Sequence, residues 1–115
     1  MSGLRLTPEN LAAAYAFLKT TMPFCRWRLP DADEVRFSVY RHQGFCGDYR
    51  FLKGRHHIRI SETCIGRTVP LIAVMAHEMV HVKCQMRGDK STHGAMFNRY
   101  GRIVCKHHGF DPKLF

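Results

Sequence analysis

The segment His77-Glu78-Met79-Val80-His81 has the residue types and spacing of a metal site that supports hydrolysis. Residues four apart on an α-helix lie on one face, one turn apart, so the rings of His77 and His81 can point towards a single ion. Glu78 is rotated away from that pair, where its carboxylate can hold a water molecule and accept a proton from it. The pattern H-E-x-x-H therefore predicts a metal ion, most naturally zinc, with a general base beside it.

A third ligand is needed, because catalytic zinc usually takes three protein ligands and leaves one position for water. His93 is the favoured candidate, since it follows a glycine-containing turn after the motif and stands at the start of the next helix. An antiparallel pair of helices would return it towards the motif. Gly94 would then remove side-chain bulk beside the metal. The other candidates are Cys84, whose thiolate would close the site and make it structural, and His56, His57, His107 and His108.

The motif lies in a stretch that is predicted to be a buried helix. Apolar residues recur at helical spacing from Pro70 to about Arg87, and Gly88 is a natural stop. Burying two imidazoles and a carboxylate without partners would cost free energy, and a metal accounts for all three. The alternative is that both histidines bond backbone carbonyls in the core, while Glu78 lies at the surface.

Two further helices and three strands are predicted around this central helix. Thr7-Pro8-Glu9 begins a first helix, which Pro23 ends. A last helix is expected from His93 to Gly109. Alternation of apolar and polar residues predicts strands at 35–41 and 56–61, and less regularly at 46–52.

Short turns between the strands favour an antiparallel meander. The fold class is therefore α+β, with an N-terminal helix, a three-stranded antiparallel sheet, the motif helix and a C-terminal helix. The length of 115 residues suits one domain over residues 1–115.

The charge balance favours a polyanionic partner. Eighteen Lys and Arg residues face nine Asp and Glu residues, which gives a formal net charge of +9. Trp27 lies between two arginines and could stack on a base of single-stranded DNA, or it could anchor the first helix to the sheet. The alternative is a basic protein without a nucleic-acid site. The candidate nucleic-acid contacts are Arg26, Trp27, Arg28, Arg50, Lys53, Arg55, Arg99, Arg102 and Lys106.

The five cysteines are odd in number and contain no C-x-x-C pair, so a disulfide framework and a separate zinc ribbon are not expected. Free thiols at this density indicate a reducing compartment. The sequence has neither a signal-peptide pattern near its start nor an apolar run of membrane-spanning length. We therefore expect a cytoplasmic location, or a nuclear one in a eukaryote, without a membrane partner. The oligomeric state is not predicted.

The motif, followed by a polar loop and then His-Gly-x-x-Phe at 93–97, resembles the SprT-like family, which includes the Spartan-type proteases. The resemblance extends over most of residues 10–110. Further segments that carry it are Gly47-Asp48-Tyr49, Gly54 and Ile58-Arg59-Ile60-Ser61, with Leu29-Pro30 as a weaker match.

This resemblance implies a zincin-like minimal protease domain with one zinc ion on His77, His81 and His93 and with Glu78 as the catalytic base. It also implies a protein substrate and an activity tied to DNA, directed at proteins bound or crosslinked to DNA. No cysteine-rich zinc ribbon follows the domain in this sequence, so DNA contact would use the basic surface of the domain itself. The strand at 57–61 could present its edge to an extended substrate.

Two other functions fit the same residues. A zinc-dependent nuclease would also suit basic charge and three histidines, although a mononuclear histidine site with a Glu base on a helix is more typical of peptide hydrolysis. A non-catalytic DNA-binding module with structural zinc is the third possibility. Glu78 argues against it, because a structural site needs no base.

Overall fold

Three long helices and a three-stranded sheet make up the α+β fold. The computed structural model describes residues 6–41, 44–65 and 71–115. Within these residues the strands are β1 Val35–Tyr40, β2 Gly47–Leu52 and β3 Arg55–Ser61, and the helices are α1 Pro8–Lys19, the short α2 Glu62–Ile65, α3 Leu71–Met86 and α4 Ala95–His108. Two 3₁₀ turns, Phe24–Arg26 and Ala32–Glu34, connect α1 to β1.

The helix boundaries follow the local signals of the sequence. At the start of α1 the Thr7 hydroxyl accepts a hydrogen bond from the backbone N–H of Asn10 at 3.0 Å, as expected for an N-cap. At the end of α4 Gly109 adopts a left-handed φ of 77°, which glycine tolerates without strain. The predicted helix start at Pro70 lies outside the described residues. Within them, α3 begins at Leu71.

The sheet is mixed, so the prediction of an antiparallel sheet is wrong for one of its two strand pairs. The strand order is β1-β3-β2, with β1 parallel to β3 and β2 antiparallel to β3. The apolar residues of β3, Ile58 and Ile60, are fully buried, whereas β2 is half-buried to exposed along its length. The more buried strand takes the centre, where both of its edges are paired. Alternation alone reveals which face is buried, and it does not reveal which strands are neighbours.

The turn between β2 and β3 is a two-residue hairpin. Lys53 and Gly54 have positive φ values of 51° and 74°. Two successive positive φ values give a primed turn, whose twist matches that of paired antiparallel strands. This part of the meander prediction is confirmed.

The core lies between the sheet and the helices. Val35 and Phe37 of β1 and the isoleucines of β3 face α1 and α3, and most of α3 is buried. Trp27 is also in the core, 8% exposed, with its ring edge-on to Phe24 and Tyr100 at centroid distances of 5.2 and 5.0 Å. The proposed stacking of Trp27 on a nucleic-acid base is therefore not supported, since the ring is already enclosed by protein.

Not every described cysteine is a free thiol, contrary to the expectation from the sequence. Cys25, Cys84 and Cys105 are free, but Cys46 is disulfide-bonded. The disulfide at Cys46 does not support the reducing compartment expected from free thiols. Among the described residues, no helix combines the length and the apolar character needed to cross a membrane.

Replacing Tyr15 with Phe tests how the connection after α1 is held to the core. The Tyr15 hydroxyl donates a 2.6 Å hydrogen bond to the carbonyl of Pro30, and the side chain is fully buried. Loss of the donor leaves that carbonyl unpaired, so we expect the free energy of unfolding to fall by about 1–2 kcal/mol in urea titrations.

Tyr100→Phe is the matched control for this measurement, because the Tyr100 hydroxyl has no hydrogen bond to the described part of the chain and its exposure is intermediate. It should change the free energy of unfolding by less than about 0.5 kcal/mol. Equal losses in the two variants would contradict the role assigned to the Tyr15 hydroxyl.

Candidate metal centre

Three histidine nitrogens converge at one point above α3. The Nε2 atom of His93 lies 3.1 Å from the Nε2 atom of His77 and 3.1 Å from that of His81. His77 and His81 come from successive turns of α3, and His93 comes from the loop that precedes α4. The structure thus brings together the three residues that the sequence singles out.

The geometry of the three nitrogens fits a shared cation better than a hydrogen-bond network. A neutral imidazole has only one N–H group, and a single Nε2–H on His93 cannot be directed well at two acceptors at once. At the usual zinc–nitrogen distance of about 2.0–2.1 Å, tetrahedral ligand nitrogens lie about 3.3–3.4 Å apart. The observed separations are close to that value, so the donor set suits zinc.

Burial keeps two of these histidines in the form that binds metal. Desolvation lowers the pKa of His77 to about 4 and that of His81 to about 3, with the neighbouring imidazoles adding to the effect in both cases. Both rings are therefore neutral at pH 7 even without a metal, and their nitrogens need not lose a proton before they bind one.

Neighbouring aromatic rings fix the orientation of the histidines. Phe97 of α4 is 5% exposed and packs against all three imidazoles, with centroid distances of 4.9, 4.6 and 4.7 Å to His77, His81 and His93. On the other side, Tyr49 of β2 stacks nearly parallel to His81 at 5.8 Å. These contacts give a physical role to the Phe and Tyr residues of the family-like segments, which sequence reasoning had left without one.

The Glu78 carboxylate lies beside the histidines and is 3% exposed. Its Oε1 atom has no hydrogen-bond partner within the described part of the chain. Burial, with a smaller contribution from the negative charge of Asp48, raises the pKa of Glu78 to about 8. A buried acceptor without a donor is costly, so the position is suited to a carboxylate that meets a water molecule or a ligand.

Gly47, at the start of β2, makes room for that carboxylate. A Cβ atom at this position would lie 2.9 Å from Oε2 of Glu78 and 3.1 Å from the backbone oxygen of Arg59. Any larger residue would displace either the carboxylate or the pairing of β2 with β3. The glycine therefore sets how closely the edge strand approaches the Glu78 carboxylate.

The loop before α4 determines where His93 lies. The Asp89 carboxylate accepts hydrogen bonds from the backbone N–H and the hydroxyl of Ser91 at 3.1 and 2.8 Å. His93 then adopts a left-handed φ of 55°. A Cβ atom on Gly94 would lie 2.5 Å from the Ser91 hydroxyl oxygen, so Gly94 leaves room for the Ser91 side chain in this loop.

The other candidate ligands lie outside the cluster. Among the described residues, the one histidine-containing group that could hold an ion is His77, His81 and His93. The Cys84 thiol is buried, which raises its pKa to about 11 and keeps it protonated. His56 is hydrogen-bonded to the Tyr49 hydroxyl at 2.5 Å and His108 to the Thr21 hydroxyl at 3.1 Å, while His57 lies on the sheet and His107 is exposed on α4.

The histidines and Glu78 form one side of an open cleft of about 830 Å³. The opposite side is β2, the edge strand of the sheet, together with Phe45 and the loop 89–92. β3 is the central strand, paired on both sides, so the expectation that the strand at 57–61 offers a free edge is wrong. β2 has that edge instead.

The candidate nucleic-acid contacts fall into two groups. One group, called the sheet cations, lies on the sheet face away from the helices or in the β2–β3 turn. The other group, called the helix cations, lies on α4 or beside Trp27, which contacts α4. All are exposed. The sheet cations are Arg50, Lys53 and Arg55, to which the structure adds Arg36; the helix cations are Arg26, Arg28, Arg99, Arg102 and Lys106.

Three histidines that could hold a metal ion, with a glutamate beside them on a buried helix packed against a small mixed sheet, define the class of protein. The comparison with protein families identifies it further: the SprT-like family model matches residues 14–114, so the chain belongs to the SprT-like family. A search of curated proteins finds no match.

Removal of the His93 imidazole should weaken metal binding. Because His93→Ala leaves two of the three histidines, we expect the variant to lose at least about 100-fold in zinc affinity, measured by competition with a chromogenic chelator. His107→Ala is the matched control, because His107 is exposed on α4. It should bind zinc as the unaltered protein does. Equal affinity in all three proteins would place the zinc elsewhere.

Proposed function

We propose that this protein is a zinc-dependent metalloprotease that hydrolyses peptide bonds, and that its fold is a zincin-like minimal protease domain. The observation that carries the proposal is the convergence of three imidazole nitrogens next to a buried, unpartnered glutamate at the wall of an open cleft. Membership of the SprT-like family supports it.

His77, His81 and His93, which line the cleft, would hold the ion. Zinc, when bound, supplies a Lewis acid that acidifies water and polarises a carbonyl group. Glu78 acts as the general base: its buried carboxylate takes a proton from the attacking water and returns it to the leaving amine.

The substrate would bind along β2 as an extended peptide. One edge of β2 pairs with β3, and its other edge carries no strand among the described residues and borders the cleft. Main-chain hydrogen bonds to such an edge recognise an extended backbone without requiring a particular sequence. The exposed rings of Phe45 and Phe51 would offer apolar contacts to the substrate side chains.

Two observations favour a protease over the other candidates. A structural zinc site would need a fourth protein ligand, and none joins the three histidines in the described part of the chain. An edge strand beside the metal suits a polypeptide, whereas a nuclease would need cations close to the ion to hold the phosphate. Arg59, one of the cations in the cleft wall, is already paired with Asp48, to which its Nε and Nη2 atoms donate hydrogen bonds.

Glu78→Gln separates metal binding from catalysis. The amide keeps the size of the side chain but cannot accept the proton, so we expect proteolysis of an unfolded protein to fall by at least about 100-fold while zinc content is unchanged. The readouts are product formation by mass spectrometry and zinc by atomic emission, with and without single-stranded DNA.

Glu9→Gln is the matched control, since the same chemical change then occurs on the exposed first turn of α1. It should retain full activity. Retained activity in zinc-loaded Glu78→Gln protein would refute the base assignment. Cleavage of labelled nucleic acid, instead of protein, by the unaltered enzyme would favour the nuclease.

We further propose that the protease associates with DNA through the open face of its sheet. Arg36 of β1 and Arg50 of β2 flank His57 of β3 in one cross-strand row. With strands about 4.8 Å apart, the two arginines stand about 10 Å from each other on a surface that no helix covers among the described residues. Asp48, which also lies on this face, is paired with Arg59 through two hydrogen bonds and makes a longer ion pair of 4.0 Å with Arg50.

This surface adjoins the cleft, because Arg50 belongs to both. A nucleic acid held there would bring proteins attached to it next to the metal site, as expected for a protease that acts on proteins bound or crosslinked to DNA. Arginine suits phosphate oxygens because its planar guanidinium can donate two hydrogen bonds at once. The helix cations lie on another part of the surface and offer the natural comparison.

The double variant Arg36→Ala/Arg50→Ala should therefore bind single-stranded DNA more weakly. If each arginine contacts one phosphate, the slope of log affinity against log salt concentration should decrease by about 1.4 in fluorescence anisotropy titrations.

Arg99→Ala/Arg102→Ala removes the same charge from α4 and should leave the slope nearly unchanged. A larger effect of the α4 pair would move the contact to the helix cations. Binding that does not depend on salt, or no binding, would remove the DNA proposal altogether.

A further inference from the structure

We propose that the main-chain oxygen of Phe115 is a positioning group for the metal site, and that the docking of residues 110–115 on α4 holds it in place. This inference rests on the zinc site proposed above and concerns how that site is kept in order. The Phe115 oxygen lies 2.7 Å from Nδ1 of His77. No local pattern in the sequence indicates this contact, which joins residues 38 positions apart.

The hydrogen bond determines which nitrogen of His77 faces the metal. The backbone oxygen can only accept, so Nδ1 must carry the proton, and Nε2 is left with the free lone pair. Nε2 is the atom that meets His93 at 3.1 Å. The Phe115 oxygen therefore selects the tautomer that can bind zinc, and it holds the ring against rotation. Partners of this kind typically contribute 10–100-fold to metal affinity, as an order of magnitude.

A turn after α4 brings Phe115 back to the site. After Gly109 ends the helix, the Asp111 carboxylate accepts a hydrogen bond from the backbone N–H of Lys113 at 3.0 Å. The backbone N–H of Leu114 donates to the carbonyl of Asp111, also at 3.0 Å. These two bonds reverse the chain, so that residue 115 lies over the middle of α4 instead of continuing away from it.

The Phe115 ring packs into a space on α4, called its seat, and this packing keeps the main-chain oxygen in position. It contacts His77 at 5.3 Å, Phe97 at 6.4 Å and Phe110 at 5.9 Å between ring centroids. A Cβ atom on the buried Gly101 of α4 would lie 3.4 Å from two carbons of the ring. Gly101 thus leaves the space that the ring fills. By contrast, the adjacent Leu114 is 86% exposed.

Zinc affinity of two neighbouring variants tests the inference. Phe115→Ala removes the ring whose packing holds the main-chain oxygen in position. Zinc should therefore bind about 10–100-fold more weakly, measured by chelator competition. Leu114→Ala makes a similar truncation on an exposed side chain and should bind within twofold of the unaltered protein. Phe115→Leu refills most of the seat and should restore most of the affinity.

Gly101 offers a second, independent pair of variants. Gly101→Ala adds only a methyl group at ordinary contact distance and should leave the affinity nearly unchanged. Gly101→Leu occupies the seat and should weaken zinc binding as Phe115→Ala does. Thermal unfolding of the zinc-free proteins shows whether each variant still folds.

A spectroscopic readout distinguishes positioning from simple stabilisation. In the zinc-loaded protein the Nδ1–H proton of His77 should give a slowly exchanging, low-field NMR signal, assigned by its loss in His77→Ala. That signal should be lost or broadened in Phe115→Ala and kept in Leu114→Ala.

The inference is overturned if Phe115→Ala binds zinc as tightly as the unaltered protein or keeps the His77 signal. Failure of the proposed function has a different signature: the unaltered protein would then bind no zinc at the three histidines, or would bind it without cleaving protein.

Discussion

The site depends on one constraint, which is that the buried Glu78 and the half-buried His77 and His81 of α3 must find partners. Two imidazoles and a carboxylate project from a helix whose remaining surface is mostly in the core. Unpaired, these groups would cost several kcal/mol in total. His77, His81 and His93 would hold a divalent ion through their ring nitrogens, and Glu78 would accept a hydrogen bond from water in the cleft.

Every neighbouring element contributes to meeting that constraint. The loop before α4 turns through a left-handed residue to supply the third imidazole, and Phe97 packs against all three rings. The edge strand β2 approaches closely through Gly47 and leaves its outer edge along the cleft. Residues 110–115 fold back to orient His77 from behind. The small fold thus surrounds the metal position with parts from four separate segments of the chain.

Charge is distributed so that it does not interfere with this site. The candidate nucleic-acid cations lie on the open face of the sheet, in the β2–β3 turn, and on or beside α4; Arg50 also lies at the cleft wall, where Arg59 is paired with Asp48. A polyanion could therefore bind at the surface without displacing the groups at the metal. This separation would allow one small domain to combine the proposed hydrolysis with the proposed attachment to DNA.

Local patterns in the sequence determined the helices, the strands, the metal motif and the SprT-like family, because capping, periodicity and i, i+4 spacing act over a few residues. His93 was also a sound candidate, since the turn after α3 limits where the next helix can start. Only the tertiary structure decided the parallel pairing of β1 with β3, the burial of Trp27, the cross-strand row of Arg36 and Arg50, and the contact of Phe115 with His77. These features depend on which distant segments become neighbours, and that choice is made by packing of the whole core, which no short pattern encodes.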